Sequence, residues 1–455
     1  MTIESAIEEI ASFLGPRLSR SKSDLDTHGR SETWWPLTPP DAVVYPNDTA
    51  ECARIVSACA THGCPVIPWG TGTSLEGHSL APRGGITVDM SRMNRVLEVH
   101  PEDMIAVVEP GVTRRALNEE LRATGLMFSV DPGADASLGG MASTRASGTT
   151  AVRYGTMRDN VRALEVVLAD GRVIRTGGRA RKSSAGYDLT SLFVGGEGTL
   201  GLITEMTVRL HGIPEAVSAA VCAFPTVAAA VDSVIEVVAS GIPLARAELV
   251  DADVARAFNA HGGGGMREAP HLMLEFHGSE TSVAGDAARF AEIAEGNGAE
   301  GTEWTTDAEE RNRLWRMRHD AYWTILKMRP SSAPISTDIC VPISRLAEAI
   351  EETQADIAAS GIPGPILGHV GDGNFHAILL ANSPEELEIT KALSDRMAER
   401  AIRLGGTSTG EHGIGMGKLD YMDQEHGAGW DVMGAIKRAL DPQGIMNPGK
   451  VVRQN

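Results

Sequence analysis

The chain has 455 residues, 42% of them hydrophobic and 22% charged, which is typical of a globular protein of about two to four domains and excludes a disordered chain, a collagen and a coiled-coil rod. Its 41 Lys and Arg against 60 Asp and Glu give a formal net charge of −19. This acidic balance argues against nucleic acid and anionic membrane as partners. The sequence contains no run of about 18 apolar residues, so we predict no membrane span.

The five cysteines include no C-x-x-C pair, and their odd number argues against a disulfide framework. We therefore expect a reducing compartment and no cysteine-ligated iron–sulfur cluster in this chain. The N-terminus has no basic region typical of a signal or transit peptide. These features predict a cytoplasmic location.

The first half of the chain predicts a short acidic helix and then mixed strands and helices. The pattern indicates strands at 42–45, 65–69, 85–89, 105–109, 164–168, 171–175 and 201–210, and helices at 49–62 and 113–124. Asp170-Gly171 is a hairpin signal. Residues 131–150 are rich in Gly, Ala and Ser. The segment 211–214 predicts a domain boundary.

The second half predicts longer helices between strands. Strands are expected at 218–224, 244–250, 272–277 and 337–342 and as a pair within 366–380, and helices at 227–239, 284–294, 307–328, 345–360 and 385–404. This pattern favours an α+β domain with an antiparallel sheet and helices on one face.

Two glycine-rich segments predict a ligand in the first half. Residues 68–74 read PWGTGTS, and their alternating glycines favour a nest of backbone N–H groups suited to a pyrophosphate. A tight glycine turn is the alternative. The small residues of 131–143 favour a surface lying flat against a large planar ligand, and a mobile surface loop is the alternative.

The segment 196–201 reads GEGTLG, a formal G-x-G-x-x-G. Because a strand rather than a helix is predicted after it, we exclude nicotinamide dinucleotide binding there. Some flavoenzymes attach their cofactor to a histidine near such a loop as 70–78. For His78, however, we expect a surface position.

The segment 368–376 reads GHVGDGNFH and predicts a hairpin with Asp372-Gly373 as a two-residue turn. That register places His369 directly opposite His376 on one face, which favours two imidazoles on one metal ion. Two core histidines are the alternative. In the glycine-rich segment 409–418, Glu411 offers an oxygen ligand and His412 a titratable base; a helix C-cap is the alternative.

The helix predicted at 307–328 places Trp315, Arg318, Tyr322 and Ile325 on one face. An arginine within an apolar stripe either extends its charged end to water or binds an anion. The sequence leaves both readings of Arg318 open.

Together these motifs resemble the FAD-linked oxidase family typified by vanillyl-alcohol oxidase. The similarity is greatest to its D-lactate dehydrogenase branch, which includes D-2-hydroxyglutarate dehydrogenase and the glycolate oxidase flavin subunit. It covers about residue 36 to the C-terminus and is carried by the strings at 70–77, 131–136, 151–160, 198–204, 336–338, 368–376, 410–418 and 447–450.

The resemblance implies a PCMH-type FAD-binding domain of two subdomains and a substrate domain. We assign residues 1–35 to an N-terminal helical segment, 36–213 to the FAD domain, 214–425 to the substrate domain with a metal site, and 426–455 to a return to the FAD domain. The implied FAD-binding residues are Trp69, Gly70, Thr71, Gly72, Thr73, Ser74, Pro132, Gly133, Ala136, Ser137, Gly139, Gly140, Ser143, Gly148, Tyr154, Gly155, Glu197, Gly198, Ile203 and Asn447.

For the substrate domain, the resemblance implies a divalent metal, zinc or manganese, on His369, His376 and Glu411. It also implies His412 as the catalytic base, and Arg318 with Tyr322 as substrate-binding residues. Glycine is usual in the D-lactate branch where this chain has Ser74 and His78. Ser336 stands where the hydroxyglutarate branch has a lysine that binds the distal carboxylate, which argues against a dicarboxylate substrate.

We therefore expect an FAD-dependent D-2-hydroxyacid dehydrogenase, with D-lactate the favoured substrate. Electrons would leave to an external acceptor such as a cytochrome, a quinone or another carrier. The alternatives are a glycolate oxidase flavin subunit, a D-2-hydroxyglutarate dehydrogenase, a metal hydrolase without flavin, and a non-catalytic flavin-binding subunit.

Overall fold

The structure is a computed structural model that describes residues 2–262 and 265–453. It contains two compact units. The first comprises Met1–Ser147, Gly155–Ile213 and Glu411–Asn455, and the second comprises Gly148–Tyr154 and Pro214–Gly410. The domain limits assigned from the sequence stay predictions. In the part of the chain that the structure describes, no helix has the length and apolar character needed to cross a membrane.

The N-terminal part of the chain alternates short strands and short helices. Its strands are β1 (Leu18–Ser19), β2 (Ala42–Val44), β3 (Val66–Trp69), β4 (Ile86–Asp89), β5 (Val96–His100), β6 (Ile105–Val108), β7 (Leu126–Met127), β8 (Val161–Val167), β9 (Val173–Gly177), β10 (Leu202–Arg209) and β11 (His211–Gly212). Its helices are α1 (Ile3–Leu14), α2 (Lys22–His28), α3 (Thr49–His62), α4 (Arg114–Glu120), α5 (Leu138–Thr144), α6 (Ala151–Tyr154), α7 (Met157–Asn160) and α8 (Leu189–Phe193).

A small sheet with the order β1-β2-β4-β3 begins the first unit, and β2, β4 and β3 are parallel. The connecting helix α3 begins because the Asp48 side chain accepts a hydrogen bond from Glu51 N. It ends at Gly63, whose φ of 64° is left-handed and suits glycine. The strand–helix–strand pattern predicted at 42–69 is confirmed, and it leads directly into the loop at 70–74.

A second sheet in this unit has the order β5-β6-β10-β8-β9 and is antiparallel. The hairpin predicted at Asp170-Gly171 is confirmed, with Gly171 at φ 83°. The segment 131–150 is not all loop, because α5 lies within it. Leu138, Met141 and Ala142 are buried there, at the spacing of one apolar helix face.

The second unit and the C-terminal segment contain longer elements. The strands are β12 (Ala216–Ala223), β13 (Leu244–Val250), β14 (His271–Gly278), β15 (Glu300–Thr305), β16 (Ala333–Ser336), β17 (Ile339–Cys340), β18 (Ile366–His369) and β19 (Asn374–Ala381). The helices are α9 (Val227–Ala239), α10 (Ala252–His261), α11 (Glu280–Gly296), α12 (Ala308–His319), α13 (Ala321–Leu326), α14 (Leu346–Ser360), α15 (Pro384–Arg403), α16 (Met422–His426) and α17 (Ala428–Leu440).

The second unit is built on an antiparallel sheet with the order β15-β12-β14-β13-β18-β19-β16. Alternate residues of β14 face opposite sides, since Leu272 and Leu274 belong to a large core with α9, α11, α14 and α15. Met273 instead belongs to a smaller core with α10, α12 and α13. The predicted antiparallel α+β architecture is confirmed. Helices were expected on one face only, whereas α10, α12 and α13 cover part of the other face.

Candidate active site

The loop at 70–74 follows β3 and is closely packed. A Cβ on Gly70 would lie 2.2 Å from Ser137 Oγ, and a Cβ on Gly72 would lie 2.5 Å from the Trp69 ring. Gly72 also has a φ of 72°, which a residue with a side chain adopts only at a cost. Gly72 is therefore required by the backbone path, whereas a side chain on Gly70 would require the Ser137 hydroxyl to move.

Polar atoms beside this loop fit a phosphate-bearing cofactor. Trp69 Nε1 and Ser137 Oγ are buried, and neither has a hydrogen-bond partner among the residues described. Buried donors are nearly always satisfied in proteins. The two atoms and the glycine backbone around them are thus suited to accept a ligand such as FAD.

The segment at 196–201 packs against Pro68 and does not form a dinucleotide-binding fingerprint. Gly198 has a φ of 70°, and a Cβ there would lie 2.3 Å from Pro68 Cγ. The following residues form β10, as predicted, so no helix N-terminus faces a pyrophosphate.

Glu197 is buried, and its carboxyl group accepts hydrogen bonds from Ile414 N at 2.7 Å and Gly415 N at 2.8 Å. Burial works against ionisation of Glu197, but His78, 3.2 Å away, and these hydrogen bonds lower its pKa overall. The surface position expected for His78 is wrong, because only 6% of it is exposed. Asn447 Nδ2 donates to the carbonyls of Glu197 and His78.

The remaining predicted FAD-binding residues lie in several elements. Pro132, Gly133 and Ala136 precede α5, whereas Gly139, Gly140 and Ser143 lie within it, and Ile203 lies in β10. Gly139 could not carry a side chain, because its Cβ would lie 2.5 Å from Pro110 Cβ. Gly148 and Tyr154 belong to the second unit, where the Tyr154 hydroxyl is 2.7 Å from His277 Nδ1. Their role at the cofactor stays a prediction.

The histidine hairpin exists, but its register differs from the predicted one. Leu367 lies opposite His376, two residues away from the predicted pairing of His369 with His376. The cause is a longer turn at 370–373, in which Asp372 N donates to His369 O at 3.0 Å. Gly373 has a φ of 79°, and its Cβ would lie 2.1 Å from Val341 O. A shift of two keeps both histidines on one face, and their ring centroids are 5.6 Å apart.

Both histidines are oriented through Nδ1. His369 Nδ1 is 2.6 Å from Glu248 Oε1, and His376 Nδ1 is 2.9 Å from the Thr337 carbonyl oxygen. Metal-binding histidines typically donate one ring N–H to a carboxylate or carbonyl and bind the ion through the other nitrogen. The donor set of this pair therefore fits a divalent metal.

Arg318 is buried on α12, with 8% of its surface exposed, so it does not extend its charged end to water. Its Nη2 lies 2.6 Å from Glu248 Oε2. Its Nε has no hydrogen-bond partner among the described residues and is available to donate to an anion. Tyr322 lies on α13, a separate helix, because the helix predicted at 307–328 is interrupted at Asp320.

Glu411 and His412 directly follow Gly410, the last residue of the second unit. Gly410 itself is close to the polar residues near His376, since its Cβ would lie 2.0 Å from Asn374 Nδ2 and 3.0 Å from Asp338 Oδ1. Thr409 Oγ1 donates to Asp338 Oδ2 at 2.8 Å. The roles predicted for Glu411 and His412 stay predictions.

A group of charged residues on one face of the second unit's sheet was not predicted from the sequence. Arg246 and Glu248 alternate along the otherwise apolar strand β13, and that interruption was the available signal. Glu275 lies 2.5 Å from His277 Nε2 and 3.6 Å from Arg246 Nη1. Arg246 also lies over the Trp315 ring at 4.6 Å.

A cavity of about 490 Å³ lies beside this charged group. Its lining residues are Val217, Arg246, Glu275, Arg311, Asn312, Trp315, Arg316 and His319. Arginines predominate among the charged residues, so the cavity is locally positive in an acidic protein. A local excess of positive charge is what attraction of an anionic substrate would require.

Two family models match the chain. One, described as the C-terminal domain of FAD linked oxidases, matches residues 213–451, and another, described as an FAD binding domain, matches residues 40–177. The chain therefore belongs to the FAD-linked oxidase family. The predicted FAD cofactor and the class of enzyme, an FAD-linked oxidoreductase, are confirmed.

Within that family, a probable mitochondrial D-lactate dehydrogenase of Danio rerio is 47% identical over 99% of this chain and 92% of the relative. A mitochondrial D-lactate dehydrogenase (cytochrome) of Arabidopsis thaliana is 43% identical over 98% of this chain and 80% of the relative. A glycolate oxidase subunit of Bacillus subtilis is 34% identical, covering 90% and 89%. The first two are named as mitochondrial, which contradicts the predicted cytoplasmic location; that prediction was wrong.

Solved structures support the same fold. p-Cresol methylhydroxylase has a TM-score of 0.81 at 19% identity, covering 98% of this chain and 96% of that one. A 4-ethylphenol oxidase from Gulosibacter chungangensis has a TM-score of 0.77 at 20% identity, covering 99% and 97%. At such identities the likeness concerns the fold alone.

Proposed function

We propose that this protein is an FAD-dependent dehydrogenase that oxidises a D-2-hydroxyacid, with D-lactate as the leading substrate, to the 2-oxoacid. The observation that carries the proposal is 47% identity, over nearly the whole chain, to a relative named as a D-lactate dehydrogenase. The buried set of Arg318, His369 and His376 supports it, because a cation and two imidazoles suit a 2-hydroxycarboxylate.

In this mechanism, Arg318 binds the substrate carboxylate, with Nε as one donor. His369, His376 and Glu411 would hold a zinc or manganese ion, which would supply Lewis-acid chemistry. His412 accepts the hydroxyl proton on an imidazole nitrogen. The loop at 70–74 and Ser137 would hold FAD, which would supply the two-electron redox chemistry.

The electron acceptor is proposed to be a cytochrome. The Arabidopsis thaliana relative carries that acceptor in its name, and the Saccharomyces cerevisiae relative does so as well. Ferricytochrome c reduction by the purified protein, with D-lactate as donor, tests this part. Reduction of a quinone analogue alone would replace the cytochrome with a quinone.

A second candidate is a glycolate oxidase flavin subunit, which the Bacillus subtilis relative favours. Such a subunit would need partner chains for activity. A D-2-hydroxyglutarate dehydrogenase is less well supported, because β16 carries Ser336 where that branch has lysine. The flavin-free hydrolase is excluded by the family. Full turnover by the lone chain would exclude the non-catalytic subunit.

The decisive experiment is the visible spectrum of the purified protein before and after anaerobic addition of D-lactate, L-lactate, glycolate or D-2-hydroxyglutarate. We expect D-lactate to bleach the flavin band at about 450 nm, and L-lactate to bleach it much more slowly. Equal bleaching by both enantiomers, or none by any 2-hydroxyacid, would contradict the proposal. Faster bleaching by glycolate would favour the second candidate.

A further inference from the structure

Glu248 lies in the middle of β13 and has no exposed surface. Its two carboxyl oxygens contact two different residues. Oε1 is 2.6 Å from His369 Nδ1, and Oε2 is 2.6 Å from Arg318 Nη2. One buried carboxyl group thus contacts both a predicted metal ligand and the predicted substrate-binding arginine.

These contacts depend on three separate elements. Glu248 and His369 are antiparallel cross-strand partners on β13 and β18, whereas Arg318 is in the last turn of α12. A buried carboxyl group without partners would be strongly unfavourable. Its position between an imidazole and a guanidinium explains how it is tolerated in an apolar strand, and it also fixes the orientation of both groups.

We propose that Glu248 is a positioning residue that couples the metal site to the carboxylate site. By accepting the Nδ1–H of His369, it selects the tautomer whose Nε2 is the ligand atom. With its other oxygen it holds the guanidinium of Arg318, so that Nε remains directed to the substrate. This inference rests on the proposed function, because it takes His369 as a metal ligand and Arg318 as the carboxylate contact.

The neighbouring strand β14 supplies a matched control. Glu275 is also buried, contacts His277 and lies near Arg246. Burial opposes its ionisation, but the hydrogen bond from His277 and the charge of Arg246 lower its pKa overall. His277 uses its other ring nitrogen, Nδ1, for Tyr154, so it is not a predicted metal ligand. Glu275→Gln therefore removes a similar carboxylate without affecting the proposed ion.

The test is a metal titration of the full chain with FAD bound. Wild type, Glu248→Gln and Glu275→Gln are stripped with a chelator, and Zn²⁺ or Mn²⁺ is added while free metal is followed with a competing dye. We expect Kd to rise about 10- to 100-fold in Glu248→Gln and to stay within about twofold of wild type in Glu275→Gln. The KM for D-lactate should also rise in Glu248→Gln.

An unchanged Kd in Glu248→Gln, or an equal loss in both variants, would overturn the role of Glu248. Failure of wild type to bind either metal would instead overturn the metal part of the proposed function, and Glu248 with it. If Glu248→Gln does not fold, as judged by circular dichroism, the double variant Glu248→Met/Arg318→Met removes both buried charges together. That variant should also bind metal weakly, and a wild-type Kd in it would contradict the proposal.

Discussion

The candidate sites of the two units are built from different chemical groups. In the first, the loop at 70–74 is predicted to offer backbone N–H groups, and the uncharged donors Trp69 Nε1 and Ser137 Oγ are buried with no hydrogen-bond partner among the described residues. In the second, charged side chains from adjacent strands and a helix lie against one another, with Glu248 between His369 and Arg318.

The two candidate sites should therefore respond differently to substitutions. A site formed by the backbone depends on conformation and is damaged by any added side chain. A site formed by buried charges depends on each partner, because removing one leaves the other unpaired in a low dielectric. Substitutions should therefore affect cofactor content in the first unit and turnover in the second.

The largest expected effect comes from removing the metal. Chelator treatment should abolish D-lactate oxidation but leave FAD bound, because the glycine loop and the histidine hairpin belong to different units. Activity should return on adding zinc or manganese, measured with a dye acceptor. Full activity after complete removal of metal, verified by elemental analysis, would make His369 and His376 structural residues.

His412→Ala should lower kcat by about 10²- to 10⁴-fold, the usual contribution of a general base. Substrate should still bind, because Arg318 and the metal residues are unchanged. Stopped-flow reduction of the flavin by D-lactate, over a range of concentrations, separates the two quantities. A wild-type reduction rate would assign the proton transfer to another group.

Arg318→Lys should lower kcat/KM about 10- to 150-fold, which corresponds to the roughly 1.5–3 kcal/mol of a charge-assisted hydrogen bond. Lysine keeps the charge but lacks Nε and the planar fork. Flavin content should be unchanged, and steady-state kinetics with D-lactate measure the effect. If Arg318 only fills space, the thermal midpoint should fall and kcat/KM should stay near the wild-type value.

Gly72→Ala should reduce the FAD content of the purified protein, because the new Cβ would lie 2.5 Å from the Trp69 ring. Gly125→Ala is the matched control, since Gly125 has the same φ of 72° and no atom within 4 Å of its Cβ. The free energy of unfolding of both variants should fall by about 1–2 kcal/mol, because alanine is unfavourable in the left-handed conformation. The ratio of flavin to protein absorbance should fall only in Gly72→Ala.

The last expected effect concerns the pH dependence of stability and arises from Lys450, which is buried in the first unit. Its Nζ donates to the neutral acceptors Leu80 O and Asn447 Oδ1, and burial lowers its pKa to about 7. Between this value and about 10.4, the unfolded chain holds the proton and the folded chain does not, so stability rises with pH.

Relative to Lys450→Met, the free energy of unfolding of wild type should therefore rise by up to about 1.4 kcal/mol for each pH unit above 7. Below about pH 6, the difference in free energy of unfolding between the two proteins should be constant. Thermal midpoints from pH 6 to pH 9 measure this. Parallel pH profiles for the two proteins would show that Lys450 is protonated in the folded state throughout that range.

Much of the fold follows from patterns between residues that are close in sequence. The pattern of apolar residues predicted β10 and β14, the capping residue Asp48 predicted the start of α3, and the Asp170-Gly171 turn predicted its hairpin. The hairpin at 366–381 was predicted with the wrong register, because its turn spans residues 370–373 rather than two residues. Gly373 in this turn contacts Val341, whose N–H donates to the Gly373 carbonyl. That contact lies outside the hairpin itself.

The sequence by itself therefore determined the order and type of most elements, the glycine loop and the presence of two histidines on one face. Only the tertiary structure decided that His78 and Arg318 are buried and that Glu248 contacts His369, a residue 121 positions away in the chain. The physical reason is the range of the interactions. Turns, caps and periodicity act between residues a few positions apart, whereas the environment of a buried charge is set by whichever strands and helices pack around it.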